Sequence, residues 1–244
     1  MGTVITVTSG KGGTGKTSIT AAVSASLSLM DRTVLCIDMD IGLRNLDISL
    51  GLNDRALMDF SDVALGRCPL ARAAVPHPTL KGLSLLTAPM SVPASLTPER
   101  TRALLDTARS AYDYVLIDSP AGLGPNFRLS ICGADRVVVV ATNDTSSLRD
   151  AQRTVSELDC MQQVHLVVNR IQTRLLRRLR TTIDDAMDAA GLPLIGVVPE
   201  DPYVILCANL GQPLTTRGKR GAALACWNIA RRLEGQRVPI MRIR

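Results

Sequence analysis

Between the β-branched run Thr3-Val-Ile-Thr-Val-Thr8 and an apolar-periodic stretch at 18–30 lies the segment Gly10-Lys-Gly-Gly-Thr-Gly-Lys-Thr17. It satisfies G-x-x-x-x-G-K-[ST] in a strand, loop, helix setting, and that combination constrains the fold more than any other feature of the chain. In such a loop, glycines let consecutive backbone N–H groups curl around a β-phosphate, and the N-terminus of the following helix adds a favourable dipole. Lys16 is then expected to meet the β/γ oxygens and the Thr17 hydroxyl to ligate Mg²⁺. The expected phosphate-binding set is Gly10, Lys11, Gly12, Gly13, Thr14, Gly15, Lys16, Thr17 and Ser18. The bland alternative, a chance glycine-rich turn, fits the flanking strand and helix patterns poorly.

The same alternation continues along the chain. Strand patterns fall at 34–38, 83–88, 114–118, 136–142, 165–169 and 194–198, and helix patterns at 98–110, 146–158 and 174–190. Strands that are nearly continuous Val/Ile/Leu runs separated by helices indicate a parallel sheet covered on both faces. The expected fold is therefore α/β, a doubly wound, mostly parallel sheet, with residues 1–244 as a single domain. The Pro-containing stretch at 69–98 reads as irregular connection. In the segment at 174–190, Leu176, Leu179, Ile183 and Met187 share one face as a core stripe, with Arg174, Arg177 and Arg178 opposite.

Charge is distributed unevenly. Residues 1–169 carry 15 basic and 16 acidic side chains and residues 170–244 carry 13 and 6, so the net charge of +6 belongs to the C-terminal third. Of the 28 basic residues 24 are arginine, while aromatics make up 2%, which argues against stacking platforms for single-stranded nucleic acid. A basic patch for phosphates or anionic lipid fits this balance. The six cysteines (Cys36, Cys68, Cys132, Cys160, Cys207 and Cys226) are scattered without metal-site spacing and read as small apolar residues in a reducing compartment. No apolar run approaches the roughly 20 residues of a spanning helix. His77 and His165 read as a loop and a strand residue rather than catalysts, and Trp227 as packing of a C-terminal helix beside Leu224 and Leu233.

Lys11, one residue into the glycine loop, is a second lysine that most phosphate loops lack. This K-G-G-x-G-K-T pattern resembles the deviant Walker A motif of the MinD/ParA family of dimerising ATPases. Ile37-Asp-Met-Asp-Ile-Gly-Leu-Arg-Asn-Leu-Asp47 closely resembles switch I of its MinD branch, and Tyr114-Val-Leu-Ile-Asp-Ser-Pro-Ala-Gly122 its Walker B and switch II. The resemblance implies a slow, Mg²⁺-dependent ATP hydrolase acting as a switch, with Lys11, Lys16 and Asp40 catalytic. Lys11 would reach the partner's ATP across a homodimer, and Asp40 would position the attacking water. Asp118 and Asp38 would approach the metal through water, and Asn45, Ser119 and Gly122 would respond to nucleotide and partner. Competing readings are a solvated loop lysine for Lys11, turn caps for Asp38 and Asp40, and a strand-end turn carboxylate for Asp118.

By the same resemblance Asn169 would hydrogen-bond the adenine edge and Pro199, Glu200 and Asp201 would flank the base; a strand-terminal turn is the local alternative for Asn169. The implied cofactors are ATP and Mg²⁺, and the implied partners are a second copy and a regulatory or division-inhibitor protein. Relatives of this type continue past the point matching Arg244 into an amphipathic basic helix. The basic tail at 235–244 has few apolar residues and Pro239, so membrane contact is expected to be weak or partner-mediated. Switch II continues as Leu123-Gly-Pro-Asn126, where the family commonly has an acidic residue, so partner docking there is expected to differ. The implied setting is cytoplasmic, peripheral at the inner face of the membrane, and the implied role is spatial positioning of the division site. The alternatives are a ParA-type DNA partition ATPase, with non-specific DNA gripped by the arginines of 174–178, and a metal-cluster carrier of the same fold, which the scattered cysteines oppose.

Overall fold

The computed structural model describes residues 1–53, 55–158 and 161–241. Its elements follow in chain order as β1 (Thr3–Thr8), α1 (Lys16–Ser28), β2 (Val34–Asp38), α2 (Leu46–Leu50), α3 (Phe60–Ala64), α4 (Leu70–Ala73), β3 (Val75–Pro76), β4 (Leu83–Leu86), α5 (Pro98–Ala111) and β5 (Tyr114–Asp118). Next come α6 (Pro125–Ile131), β6 (Arg136–Thr142), α7 (Thr145–Ser156), β7 (Val164–Ile171), α8 (Thr173–Leu179), α9 (Ile183–Ala190), β8 (Leu194–Pro199), α10 (Pro202–Asn209), a 3₁₀ turn (Leu214–Arg217) and α11 (Gly221–Leu233). Cys160 and the tail residues 242–244 lie outside the described residues.

The strands form one sheet in the order β3-β4-β2-β5-β1-β6-β7-β8, parallel except for β3 at one edge. The order reverses at β1, which lies between β5 and β6. A crevice opens at such a reversal, beyond the carboxyl ends of the strands, because the connections depart to opposite faces. The apolar strands are buried because helices cover both sides. Ile5 and Val7 pack toward α1 and α11, whereas Val4, Leu35 and Ile37 pack toward α5. A third cluster joins Phe127, Val139 and Leu166 beneath α7 and α9. α1 is sheathed almost completely, and its alanines and serines let it pack closely between sheet and α11.

Two expectations are corrected. The single helix expected at 174–190 is two helices, because Arg180 adopts φ 53° and Thr182 starts α9 with a capping box in which Asp185 returns its carboxylate to the Thr182 N–H at 2.7 Å. Leu179 consequently leaves the core stripe and is 52% exposed, while Leu176, Ile183 and Met187 still pack on the core. The connection at 69–98 also contains α4 and the antiparallel β3 besides the expected strand. Among the described residues no helix is long and apolar enough to cross a membrane.

Candidate functional site

The glycine loop leaves the carboxyl end of β1 and enters α1 at the sheet's reversal point. Gly13 and Gly15 have φ of 79° and 92°, the left-handed region that side chains avoid. At Gly15 a Cβ would also strike the Asn169 amide. That amide donates to the Thr14 carbonyl at 2.8 Å, so the end of β7 braces the loop directly. The Ser9 hydroxyl donates to the Lys11 carbonyl at 2.7 Å and supports the turn from beneath.

Lys16 is 7% exposed, and burial lowers its pKa while Asp118 and Asp40 pull it up. Burial costs a charged ammonium solvation, so the position favours the lysine only with anionic company. The Thr17 hydroxyl donates to Asp118 Oδ2 at 2.6 Å, and Thr20 reaches Oδ1 at 3.4 Å. Asp118 ends β5 directly opposite Asp38, which ends β2. Burial first, then the neighbouring Asp38, pushes the Asp118 carboxyl up to about 8, and burial pushes Asp38 up to about 6. Two carboxyls held against ionisation beside a hydroxyl are a set of hard oxygen donors whose strain a divalent cation relieves, so these residues fit Mg²⁺. Asp38 also accepts the N–H groups of Asp40 at 2.9 Å and Leu46 at 3.2 Å, so it shapes the turn that carries Asp40. Asp40 is half-buried two residues beyond the end of β2, with its pKa raised by burial against the pull of Lys16.

A cavity of about 270 Å³ adjoins the loop. Gly13, Gly15, Ser18, Asn169, Pro199, Glu200 and Asp201 all line it, so the residues expected at the base and the phosphate loop share one crevice. Asp201 fixes the outer wall by accepting from the Tyr203 N–H and the Ala222 N–H, each at 3.0 Å, which ties α10 to the start of α11. The sequence reading missed Arg170, which lines the cavity at φ 58° and donates to the Gly13 carbonyl at 3.4 Å and to Glu200 at 3.5 Å. It also missed Val204, Leu214, Ala222 and Cys226. Arg170 directly follows Asn169, whereas the others are brought in by α10, the 3₁₀ turn and α11, whose places sequence periodicity does not give.

The remaining residues are dispersed around this crevice. Lys11 donates to Ser146 Oγ at 2.9 Å and lies 3.9 Å from Asp144, at the start of α7. Asn45 is exposed before α2, and Gly122 donates its N–H to the Ser9 carbonyl at 3.4 Å. Ser119, expected to face a partner, is fully buried with its hydroxyl donating to the Pro120 carbonyl at 3.1 Å. The histidines stand apart. His77 Nδ1 accepts the Leu80 N–H at 3.0 Å, so Nε2–H donates to the Leu50 carbonyl at 3.0 Å and the ring serves the fold.

The chain matches known proteins over nearly its whole length. Residues 5–220 match the family described as "CobQ/CobB/MinD/ParA nucleotide binding domain". The septum site-determining protein MinD of Bacillus subtilis is 37% identical over 246 residues, covering 98% of this chain and 92% of that one. In the MinC:MinD cell division protein complex of Aquifex aeolicus the matching chain is 35% identical with a TM-score of 0.92, and 98% of each chain is covered. MinD of Pyrococcus horikoshii, complexed with Mg-ADP, is 27% identical with a TM-score of 0.83 over 96% of each chain. The chain therefore belongs to the CobQ/CobB/MinD/ParA nucleotide-binding family, within which its similarity runs to MinD.

Proposed function

We propose that this chain is a MinD-like ATPase whose ATP-dependent dimerisation and slow hydrolysis control the position of the division site, together with a division-inhibitor partner. The observation that carries the reading is the Thr17 hydroxyl on Asp118 at 2.6 Å with Lys16 buried beside them, next in the chain to Gly15 and Ser18, which line a cavity sized for a base. Such an arrangement suits a phosphate chain with its cation. Mg²⁺, held by Thr17 and through water by Asp118 and Asp38, supplies neutralisation of phosphate charge. Lys16 pairs with the β/γ oxygens, and Asp40 orients the attacking water. Asn169 presents its amide oxygen to the base, since its nitrogen is engaged by the Thr14 carbonyl. To act on a partner's nucleotide, Lys11 leaves Ser146 and Asp144. Contact with a surface is weak and charge-driven, supplied by the arginine-rich C-terminal third.

Calorimetry with Mg²⁺-ATP tests the phosphate loop. Lys16→Ala should lose most of the affinity, and parental affinity in that variant would sink the assignment. Light scattering on Asp40→Ala, which should retain ATP, tests the dimer. A monomer at high concentration under saturating Mg²⁺-ATP would count against Lys11 acting across subunits.

A further inference from the structure

The chain's single tryptophan, expected from the sequence to pack the C-terminal helix, borders a second cavity of about 480 Å³. Trp227 is half-buried on α11, and the Lys219 ammonium lies 3.6 Å from its ring centroid. Leu29, just after α1, and Leu80, in the turn before β4, complete the apolar part of the lining. Leu214, Ala222 and Cys226 line the nucleotide crevice, whereas the next residue in each case, Thr215, Ala223 and Trp227, lines the second cavity. The 3₁₀ turn and the first two turns of α11 are therefore a wall with a cavity on either side.

The polar groups of this cavity are donors. Thr215 is 8% exposed, and its hydroxyl has no hydrogen-bond partner among the described residues. A buried hydroxyl left unpaired costs free energy that a bound acceptor would return. At the N-terminus of α11, a helix of 13 residues, Asp201 takes the Ala222 N–H at 3.0 Å on the nucleotide side. The next N–H, that of the lining residue Ala223, has no partner among the described residues. The helix dipole adds partial positive charge at that turn. Among the described residues no carboxylate pairs with Lys219, and no Asp or Glu lines the cavity. The indole face takes one side of the ammonium and leaves its outer N–H donors for an acceptor.

We propose that this cavity binds a small organic carboxylate with an apolar, ring-sized body, at a site distinct from the nucleotide crevice. One ammonium, one buried hydroxyl and one helix N–H match the two oxygens of a singly charged carboxylate. Leu29, Leu80 and Trp227 take the body out of water. A phosphate monoester brings about −1.5 to −2 charges and three acceptor oxygens, more than a single cation and these donors satisfy. The volume also falls within the range of about 300–1,000 Å³ usual for small-molecule sites with apolar walls and a few placed polar groups.

The test uses the full chain and the fluorescence of Trp227, the only tryptophan and so a reporter of this cavity. Phenylacetate is the probe, and benzyl alcohol, inorganic phosphate and phenyl phosphate are the comparisons. Phenylacetate should give a saturable change at millimolar concentration or below, and neutral benzyl alcohol should bind at least about tenfold more weakly. Lys219→Gln and Thr215→Val should each weaken phenylacetate by about five- to tenfold, read by fluorescence and by calorimetry. Both variants should keep the parent's Mg²⁺-ATP affinity. Thr215→Val retains the shape and removes the unpaired hydroxyl, so it should unfold no earlier than the parent. Saturating Mg²⁺-ATP should leave the probe bound. The site is overturned if the parent shows no saturable binding, or if either variant binds phenylacetate as tightly as the parent. Displacement of the probe by Mg²⁺-ATP would place it in the nucleotide crevice and defeat the proposal. Binding of inorganic phosphate or phenyl phosphate as tight as that of phenylacetate would defeat the assignment to carboxylates.

Discussion

Replacing Asp118 by asparagine should stabilise the nucleotide-free protein while destroying its grip on Mg²⁺-nucleotide. The parent carboxyl is 1% exposed and is pushed from 3.8 up to about 8, chiefly by burial and then by Asp38. The sign follows from linkage. Between those two values the unfolded chain has released the proton and the folded chain has kept it, so stability falls as pH rises from about 4 and levels off above about 8. At about 1.4 kcal/mol per pH unit, the burden reaches about 4 kcal/mol near pH 7 and about 1.5 kcal/mol near pH 5, both upper bounds. Asparagine keeps the shape and an acceptor for the Thr17 hydroxyl, and it cannot ionise. The variant should therefore gain about 2 to 4 kcal/mol at pH 7.5, or about 5 to 10 °C in Tm for a chain of this size, and under about 1.5 kcal/mol at pH 5. The assay is thermal unfolding followed by Trp227 fluorescence, with EDTA and without nucleotide, at pH 5, 6.5 and 7.5. Calorimetry should show Mg²⁺-ATP affinity falling in the same variant. A variant that is no more stable, or whose gain does not grow with pH, would refute the claim that this carboxyl is held against its own ionisation until a cation arrives.

Other consequences are simpler. Gly15→Ala places a Cβ at φ 92° against the Asn169 amide, and it should lower ATP affinity at least about tenfold by calorimetry, a loss worth about 1.4 kcal/mol. Asp144→Ala removes the α7 cap on the Ser147 N–H at 3.0 Å and should cost about 1 kcal/mol in urea unfolding at pH 7. Burial would raise this carboxyl, but hydrogen bonds from Ser146, Thr142 and the Ser147 N–H, with the charge of Lys11, outweigh it and hold it at about 2. Its contribution is thus present above pH 4 and lost as pH falls toward 2, so the difference between parent and variant should be smaller at pH 3 than at pH 7. Thr182→Ala should cost about 1 kcal/mol by opening the α9 capping box, and hydrogen exchange should quicken at the start of α9.

Much of the site was legible because it is local. The glycine loop, its lysine and its threonine are consecutive, and their chemistry requires that order. Asp38 and Asp118 end strands whose Val/Ile/Leu runs mark them as central, so their arrival at one sheet edge follows from a parallel topology. Less local features escaped. The break at Arg180 was masked by apolar residues, Leu176 and Leu179 before it and Ile183 and Met187 after it, that keep helical spacing across it, although Thr182 and Asp185 spell a capping box. Where the sequence reading placed Leu179 in the core, only the tertiary course of α8 after β7 shows it in water.

The sequence by itself determined the strand, loop, helix unit, the alternation that yields a parallel sheet, and the identity of the residues that can hold a phosphate and its cation. Those properties reside in backbone propensity, hydrophobic period and side-chain chemistry, which travel with the residues. The tertiary structure decided which residues meet. It set Asn169 against Thr14, brought Arg170, Cys226 and Ala222 to the cavity, engaged Lys11 at Ser146, and left α8 exposed with its arginines unpaired. The reason is physical: burial, pKa and cavity shape depend on packing between elements distant in the chain, and the pattern of any one element carries no record of its neighbours.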